Sequence, residues 1–315
     1  MKTMAKRGVK KKTRKLKAAM KRVRLYIGLC IYGLVNYITG WKFPWISINL
    51  ALVYDRMGRI YRAARIYHKV IKLHPQDPRA YYGIAILYDN KKRYEDAITW
   101  YKKSINVKAD YIPACFFMAN ALYEKGDKAN ALECYKKVIA LDPENFWAHN
   151  NAGSICEELN MNVEALNYFR KALEIIPEHH RILFNLGVVY AKMGYDKKAQ
   201  ECYLESIKRY KKYPYSFLNL SLLYKEEKKL DRAILVISEG IRCNPGVPSL
   251  YYNRACFLAM AGNIEEAFLD VVRAARLNPE FLSYAEKDKD LESVRKHPGY
   301  QALKKYLQDR EKRNE

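Results

Sequence analysis

Asparagine recurs along this chain at positions that lie multiples of 34 residues apart, and its side chain is suited to holding a peptide backbone. A primary amide carries both a hydrogen-bond donor and an acceptor, so it can pair with both polar groups of a main-chain peptide unit. A row of such amides would hold an extended chain with little dependence on its side chains. The alternative is that the amides serve contacts between the protein's own helices. The five residues are Asn49, Asn151, Asn185, Asn219 and Asn253.

Large apolar side chains stand beside these amides in the same repeating pattern. Exposed aromatic residues with amide neighbours suit a bound peptide or a partner helix. The same side chains could instead pack between successive repeats, and the sequence leaves both interpretations open. They are Tyr82, Phe116, Phe117, Phe184, Leu218 and Tyr252.

No recognisable catalytic or nucleotide-binding motif occurs in the sequence. The patterns GxxxxGK(S/T), GxGxxG after a strand, HExxH and GxSxG are all missing. The adjacent His179 and His180 have no cysteine or carboxylate at a suitable spacing, which argues against a metal site. We therefore expect a non-enzymatic protein with no catalytic residue, no metal and no cofactor.

A strict period of 34 residues organises the chain. Alanine occurs seven times at this step, from Ala63 to Ala267, and such a period is typical of stacked helical repeats. Seven adjoining repeats follow without insertion or deletion; the eighth residue of each is small and the twenty-fourth is large and apolar. A large residue opposite a small one lets two helices pack closely. The repeats are 44–77, 78–111, 112–145, 146–179, 180–213, 214–247 and 248–281.

Each repeat is predicted to contain two helices joined by a short turn. Apolar residues three to four apart, such as Leu186, Val189 and Tyr190, indicate the helices. Glycine marks the turn in four repeats, and proline near the end of five repeats stops the second helix. The glycines are Gly58, Gly126, Gly194 and Gly262, and the prolines are Pro75, Pro143, Pro177, Pro245 and Pro279.

This pattern resembles the tetratricopeptide repeat family, whose unit is a helix–turn–helix of 34 residues. The resemblance covers 44–281 and implies an all-α fold, a right-handed α-solenoid (superhelix) of seven such repeats. It also implies that the first helices line a concave groove, where the asparagines and apolar residues would bind an extended peptide or a helix of another protein. The sixth repeat departs from the pattern, because Lys228 replaces the turn glycine and Ile237 the usual aromatic residue.

Positive charge is concentrated at the amino terminus. The formal net charge is +23, and twelve Lys and Arg residues fall in 1–24, whereas the first acidic residue is Asp55. We expect 1–24 to be a disordered basic tail that favours anionic surfaces, either lipid headgroups or, as the lesser alternative, nucleic acid. Basic pairs on four second helices indicate a solvated outer face more than a nucleic-acid site. They are His68-Lys69, Lys102-Lys103, Lys136-Lys137 and Arg170-Lys171.

The uncharged stretch 25–41 supports two interpretations. As a membrane-associated helix it would tether a scaffold, with the basic tail on the cytoplasmic side. Against insertion, the stretch is short for a span and contains Asn36 and Thr39. As an amino-terminal cap, a hydrophobic helix within 25–43 would cover the apolar end of the array. The protein is accordingly expected to be cytoplasmic or, alternatively, membrane-associated.

The carboxyl terminus and the cysteines complete these expectations. Residues 282–315 are predicted to be a capping region of the kind that closes many bacterial arrays, with a last helix over 299–312 that places Tyr300, Leu303 and Leu307 on one side. The seven cysteines form no CxxC pair and are expected to be reduced. The sequence names neither the partner nor the oligomeric state.

Overall fold

The computed structural model of the protein describes residue 20 and residues 23–314, with side chains given up to residue 306. Every regular element within these residues is a helix, so the predicted all-α class is confirmed. The described residues divide into two compact bodies, one that ends at Ala148 and one that begins at His149. Most of the predicted tail, 1–24, lies outside the described residues.

The amino-terminal body is built from consecutive helices, each packed against the next. Its first helices α2, α4 and α6 also contact one another. Tyr67 and Tyr101, the twenty-fourth residues of the first two repeats, are buried. The helices are α1 (23–38), α2 (Pro44–Arg56), α3 (Ile60–Leu73), α4 (Pro78–Asp89), α5 (Tyr94–Val107), α6 (Ile112–Glu124) and α7 (Lys128–Leu141).

The carboxyl-terminal body continues the same pattern from within α8. Its first helices α10, α12 and α14 also lie side by side in contact. The helices are α8 (Phe146–Glu158), α9 (Asn162–Ile175), α10 (His180–Lys192), α11 (Asp196–Arg209), α12 (Pro214–Glu226), α13 (Leu230–Cys243), α14 (Pro248–Met260), α15 (Ile264–Leu277), α16 (Glu280–Lys287), α17 (Glu292–Arg295) and α18 (Gly299–Asn314), with a 3-10 turn at Lys289–Leu291.

The helix boundaries repeat the step of 34 residues. Each first helix from α2 to α14 begins at the first residue of a predicted repeat, and each second helix begins at its seventeenth residue. In four repeats the first helical residue is proline, which needs no hydrogen-bond partner for its nitrogen at that position. Local sequence therefore sets where the helices start.

In every repeat, the residue at one position of the turn has a left-handed backbone conformation. Glycine has a positive φ at the four predicted turn positions, from 73° at Gly58 to 92° at Gly126. Lys92, Asn160 and Lys228 take the equivalent place in the other repeats, with φ of 58°, 59° and 61°. The next amide N–H then donates to a carbonyl five residues earlier, as from Arg59 to Tyr54 and from Lys229 to Tyr224. This is the geometry that ends a helix at a left-handed residue.

Large and small residues meet inside the repeats as predicted. A Cβ added at Gly153 would lie 2.7 Å from the Phe169 ring, and one at Gly187 would lie 2.6 Å from the Tyr203 ring. These rings therefore rest on the backbone of the first helix, and the two helices of the repeat approach closely.

The carboxyl-terminal region packs onto the last repeat. Tyr300 and Leu303 on α18 are buried, in line with the expected apolar side, whereas the side chain of Leu307 lies outside the described residues. The shorter α16 was not predicted, although Leu282 and Ala285 on it are buried. It begins at Glu280, two residues before the position at which an eighth repeat would start.

Helix α1 packs against α2 along one side. Ser47 donates a hydrogen bond to Asn36 at 2.7 Å, and both side chains are buried. Leu29 and Tyr32 pack against the adjoining core. Among the described residues, every helix falls short of the length and apolarity that crossing a membrane would need.

Candidate partner-binding groove

The eleven predicted groove residues have two features in common. All lie on first helices, and all are half-buried. Asn49, Tyr82, Phe116 and Phe117 belong to the amino-terminal body, and the other seven belong to the carboxyl-terminal body. Half-burial leaves these side chains part of a surface while they also contact neighbouring repeats.

An amide chain links two first helices of the carboxyl-terminal body. Asn185 donates from Nδ2 to Oδ1 of Asn150 at 3.4 Å, and Asn150 donates to Oδ1 of Asn151 at 2.8 Å. Sequence reasoning missed Asn150, which is the fifth residue of its repeat, a position that carries Tyr82, Phe116 or Phe184 elsewhere. The amide at a position that is aromatic in these other repeats was the sequence signal that could have identified Asn150.

Asn219 and Asn253 have different hydrogen-bond partners, and the twenty-fourth residue of the preceding repeat differs between them. For Asn219 that residue is Tyr203; burial raises the pKa of Tyr203 to about 12, and a hydrogen bond from the Asn219 side chain opposes the rise. For Asn253 the corresponding residue is Ile237, which has no hydroxyl. The Asn253 amide instead donates to the backbone oxygen of Ser249 at 2.8 Å.

Asn49 lies in a different setting from the other asparagines. With Gly28 and Tyr32 it lines a cavity of about 360 Å³ between α1 and α2. The first asparagine of the row therefore faces the helix that precedes the repeats.

Aromatic residues of the amino-terminal body form a cluster across two repeats. The Tyr82 ring centroid lies 6.0 Å from Tyr101, 5.8 Å from Tyr111 and 5.9 Å from Phe117. Phe116 lies 5.5 Å from Phe117. Burial, followed by the nearby Tyr111 and Asp89, raises the pKa of Tyr82 to about 12. Tyr101 is fully buried in this cluster, whereas Tyr82, Phe116 and Phe117 remain partly accessible.

The apolar groove residues of the carboxyl-terminal body also contact other residues of the protein on one side. Phe184 lies 5.3 Å from Tyr213, the last residue of the same repeat, and Leu218 packs against the buried core. The Tyr252 hydroxyl donates to Asp288 at 2.6 Å, and its ring lies 5.3 Å from Phe281 on α16. At the last repeat the carboxyl-terminal region therefore lies against the groove position.

The second helices carry the basic pairs on their exposed side. Lys136 pairs with Glu133 at 2.7 Å, and Lys171 pairs with Glu174 at 3.1 Å, so part of this charge is neutralised locally. The pattern fits a solvated outer face.

The described residues contain no group of three metal-ligating side chains. The His179 and His180 rings stack at 5.2 Å, and the His180 ring lies 4.7 Å from Tyr210. Burial lowers the pKa of both histidines. They act as packing residues at a junction between repeats.

Comparison with known families decides the classification. A tetratricopeptide repeat model matches 48–110, another matches 148–179 and 180–213, and a TPR repeat model matches 119–160. The chain belongs to the tetratricopeptide repeat family. Repeats of this family typically form non-enzymatic scaffolds for protein interaction. A search of curated proteins found no match.

Solved structures of low sequence identity share the fold. A tetratricopeptide repeat protein from Parabacteroides merdae has a TM-score of 0.61 at 17% identity, over 76% of this chain and 97% of its own. The APC/C hetero-tetramer Cut9-Hcn1 gives 0.56 at 16% identity, over 87% and 54%. The pilF protein of Pseudomonas aeruginosa gives 0.54 at 20% identity, over 68% and 99%. These neighbours support the α-solenoid class and no particular partner.

Proposed function

We propose that this tetratricopeptide repeat protein is a non-enzymatic adaptor that holds an extended peptide or a helix of another protein on its first helices. The observation that carries the proposal is the row of Asn185, Asn219 and Asn253. These residues lie on α10, α12 and α14, which contact one another in sequence, and all three side chains are partly accessible.

The internal hydrogen bonds of these amides do not use up their capacity. Asn185 and Asn253 each use one N–H, and within the described residues their Oδ1 atoms accept no hydrogen bond. An amide held by one group and open at the other is oriented before a ligand arrives, which lowers the entropic cost of binding. The free oxygens would accept from backbone N–H groups of a peptide.

Apolar side chains beside the amides, one of them aromatic, supply the apolar part of the site. Phe184 and Leu218 flank the amide row and are half-buried by their own protein, so a bound side chain would complete their burial. Aromatic anchors of this kind contribute much of the affinity in peptide interfaces.

The test is selection from a random peptide library on the full chain, followed by affinity measurement with the selected peptides. Asn185→Ala/Asn219→Ala/Asn253→Ala should weaken binding by about tenfold or more, since each amide contributes about 0.5–1.5 kcal/mol. Asn106→Ala/Asn167→Ala, at exposed positions on second helices, is the matched control and should bind as the unchanged chain does.

Two outcomes would contradict the groove mechanism. One is unchanged affinity in the triple variant with native helicity by circular dichroism. The other is a library that yields no peptide enriched on the unchanged chain.

A further inference from the structure

Helix α1 has one face packed on the protein and an opposite face of exposed apolar side chains. On the packed face, a Cβ added at Gly28 would lie 3.2 Å from Val53, and Leu29 and Tyr32 adjoin the core. On the other face the seven large side chains are each more than half exposed, and Tyr37 is 83% exposed. The seven are Val23, Tyr26, Ile27, Ile31, Leu34, Tyr37 and Ile38, and the smaller Cys30 on the same face is also exposed.

These positions form one continuous strip. At the helical rotation of about 100° per residue they fall within an arc of about 140°, and they extend over about 22 Å of helix. An apolar face of this length is unusual on a soluble surface and marks a docking site.

A cluster of cations adjoins this strip. Arg62, Arg65 and Lys69 on α3 line a cavity of about 680 Å³ together with Tyr37 and Trp41. Lys69 Nζ lies 3.7 Å from the Trp41 ring centroid. Within the described residues, none of these three cations forms an ion pair with a carboxylate. Tyr37 belongs to both the strip and the cavity, so the apolar and cationic surfaces are continuous.

The sequence that leads into α1 has the same sign of charge. Twelve Lys and Arg residues lie in 1–24, and no acidic residue precedes Asp55. A partner that matches both features must have an apolar interior and an anionic surface.

We propose that α1 lies in the surface of an anionic lipid bilayer, with its exposed strip among the acyl chains and the α3 cations on lipid phosphates. A nucleic acid would meet the cations but leave the apolar strip in water. The strip runs along the helix and not around it, which is the pattern of a helix lying in the interface plane.

The apolar half of the proposal is tested with the full chain and vesicles of phosphatidylcholine mixed with phosphatidylglycerol, in a sedimentation assay. Ile27→Ser/Ile31→Ser/Leu34→Ser should weaken binding by at least about tenfold, because these three apolar side chains would be buried in lipid in the bound state. Since all three are exposed in the free protein, their replacement should leave the fold intact. The control, Val163→Ser/Leu235→Ser/Leu269→Ser, changes equally exposed side chains on three second helices and should bind normally.

The cationic half is tested in the same assay. Arg62→Gln/Arg65→Gln/Lys69→Gln should weaken binding by at least about tenfold. The control Lys102→Gln/Lys197→Gln/Lys287→Gln removes the same charge from exposed positions elsewhere and should have a much smaller effect. Binding should also fall with added salt and on pure phosphatidylcholine vesicles.

Several outcomes would overturn the proposal. Unchanged vesicle binding by the α1 variant, or equal binding to neutral vesicles, would each do so. A wild-type dimer that the α1 variant makes monomeric, without vesicle binding, would assign the strip to a second copy of the chain. Retention on single-stranded RNA without vesicle binding would assign the cations to nucleic acid.

Discussion

At the residue scale, a buried ion pair in the seventh repeat is a position where one substitution should have a large effect on stability. Asp270 is buried and receives two hydrogen bonds from Arg254, at 2.6 and 2.8 Å, and Arg254 also donates to Ser238 at 3.0 Å. The hydrogen bond to Asp270 is the largest contribution to the raised pKa of Arg254. The pair joins the two helices of the seventh repeat to the helix before them.

We expect Asp270→Ala to destabilise the protein by about 2–3 kcal/mol, because it leaves a partly buried guanidinium without its carboxylate. Denaturant unfolding followed by circular dichroism measures the change. The control is Glu292→Ala, whose partner Lys296 is exposed; it should leave stability almost unchanged. Equal stability of the Asp270 variant and the parent would show that the buried pair contributes nothing.

At the element scale, the turn between the helices is fixed by geometry and not by residue type alone. Lys228 has a φ of 61° where Gly194, one repeat earlier, has 76°. The left-handed conformation costs a residue with a Cβ about 1–2 kcal/mol, whereas glycine adopts it freely. The sixth repeat retains the turn because the following N–H still donates to the Tyr224 carbonyl, at 2.9 Å.

Lys228→Gly should therefore stabilise the protein by about 0.5–1 kcal/mol, because it relieves the strain in the folded backbone. The greater conformational freedom of glycine in the unfolded chain offsets part of this gain. Thermal unfolding monitored at 222 nm is a suitable measurement. Gly194→Lys is the reverse substitution at the equivalent position and should lower stability. A stabilising effect of both substitutions, or of neither, would refute the strain argument.

At the scale of the whole molecule, stability comes from contacts between neighbouring helices. Within the amino-terminal body each helix from α2 to α7 contacts the next, and within the carboxyl-terminal body each helix from α9 to α16 does so. Such an array can lose a complete repeat if the register is kept. In the carboxyl-terminal body, His180 and Pro214 begin equivalent helices.

Deletion of 180–213 should leave a folded protein with the same helicity per residue and a cooperative thermal transition. The comparison variant lacks only 180–195, which removes α10 and its turn and leaves two second helices in succession. That variant should lose cooperativity, because the apolar face of α11 has no first helix of its own repeat to pack against. Similar unfolding curves for the two deletions would argue against the repeat as the unit of stability.

Much of the fold could be predicted because its signals are local and recur at a common period. Proline near the ends of repeats, glycine at turns and apolar spacing each act within a few residues, and the common period removes ambiguity at any one site. The candidate groove was predicted only as a set of positions. That Asn150 links Asn151 to Asn185 could not be predicted, since it depends on how two first helices approach each other.

The sequence by itself determined the period, the all-α class and the helix starts, because backbone propensities and apolar periodicity act along the chain. Only the tertiary structure decided which side of α1 packs on α2 and that Asn150 links Asn151 to Asn185. These features depend on side chains brought together from different helices, and contacts of that kind have no signature in any single stretch of sequence.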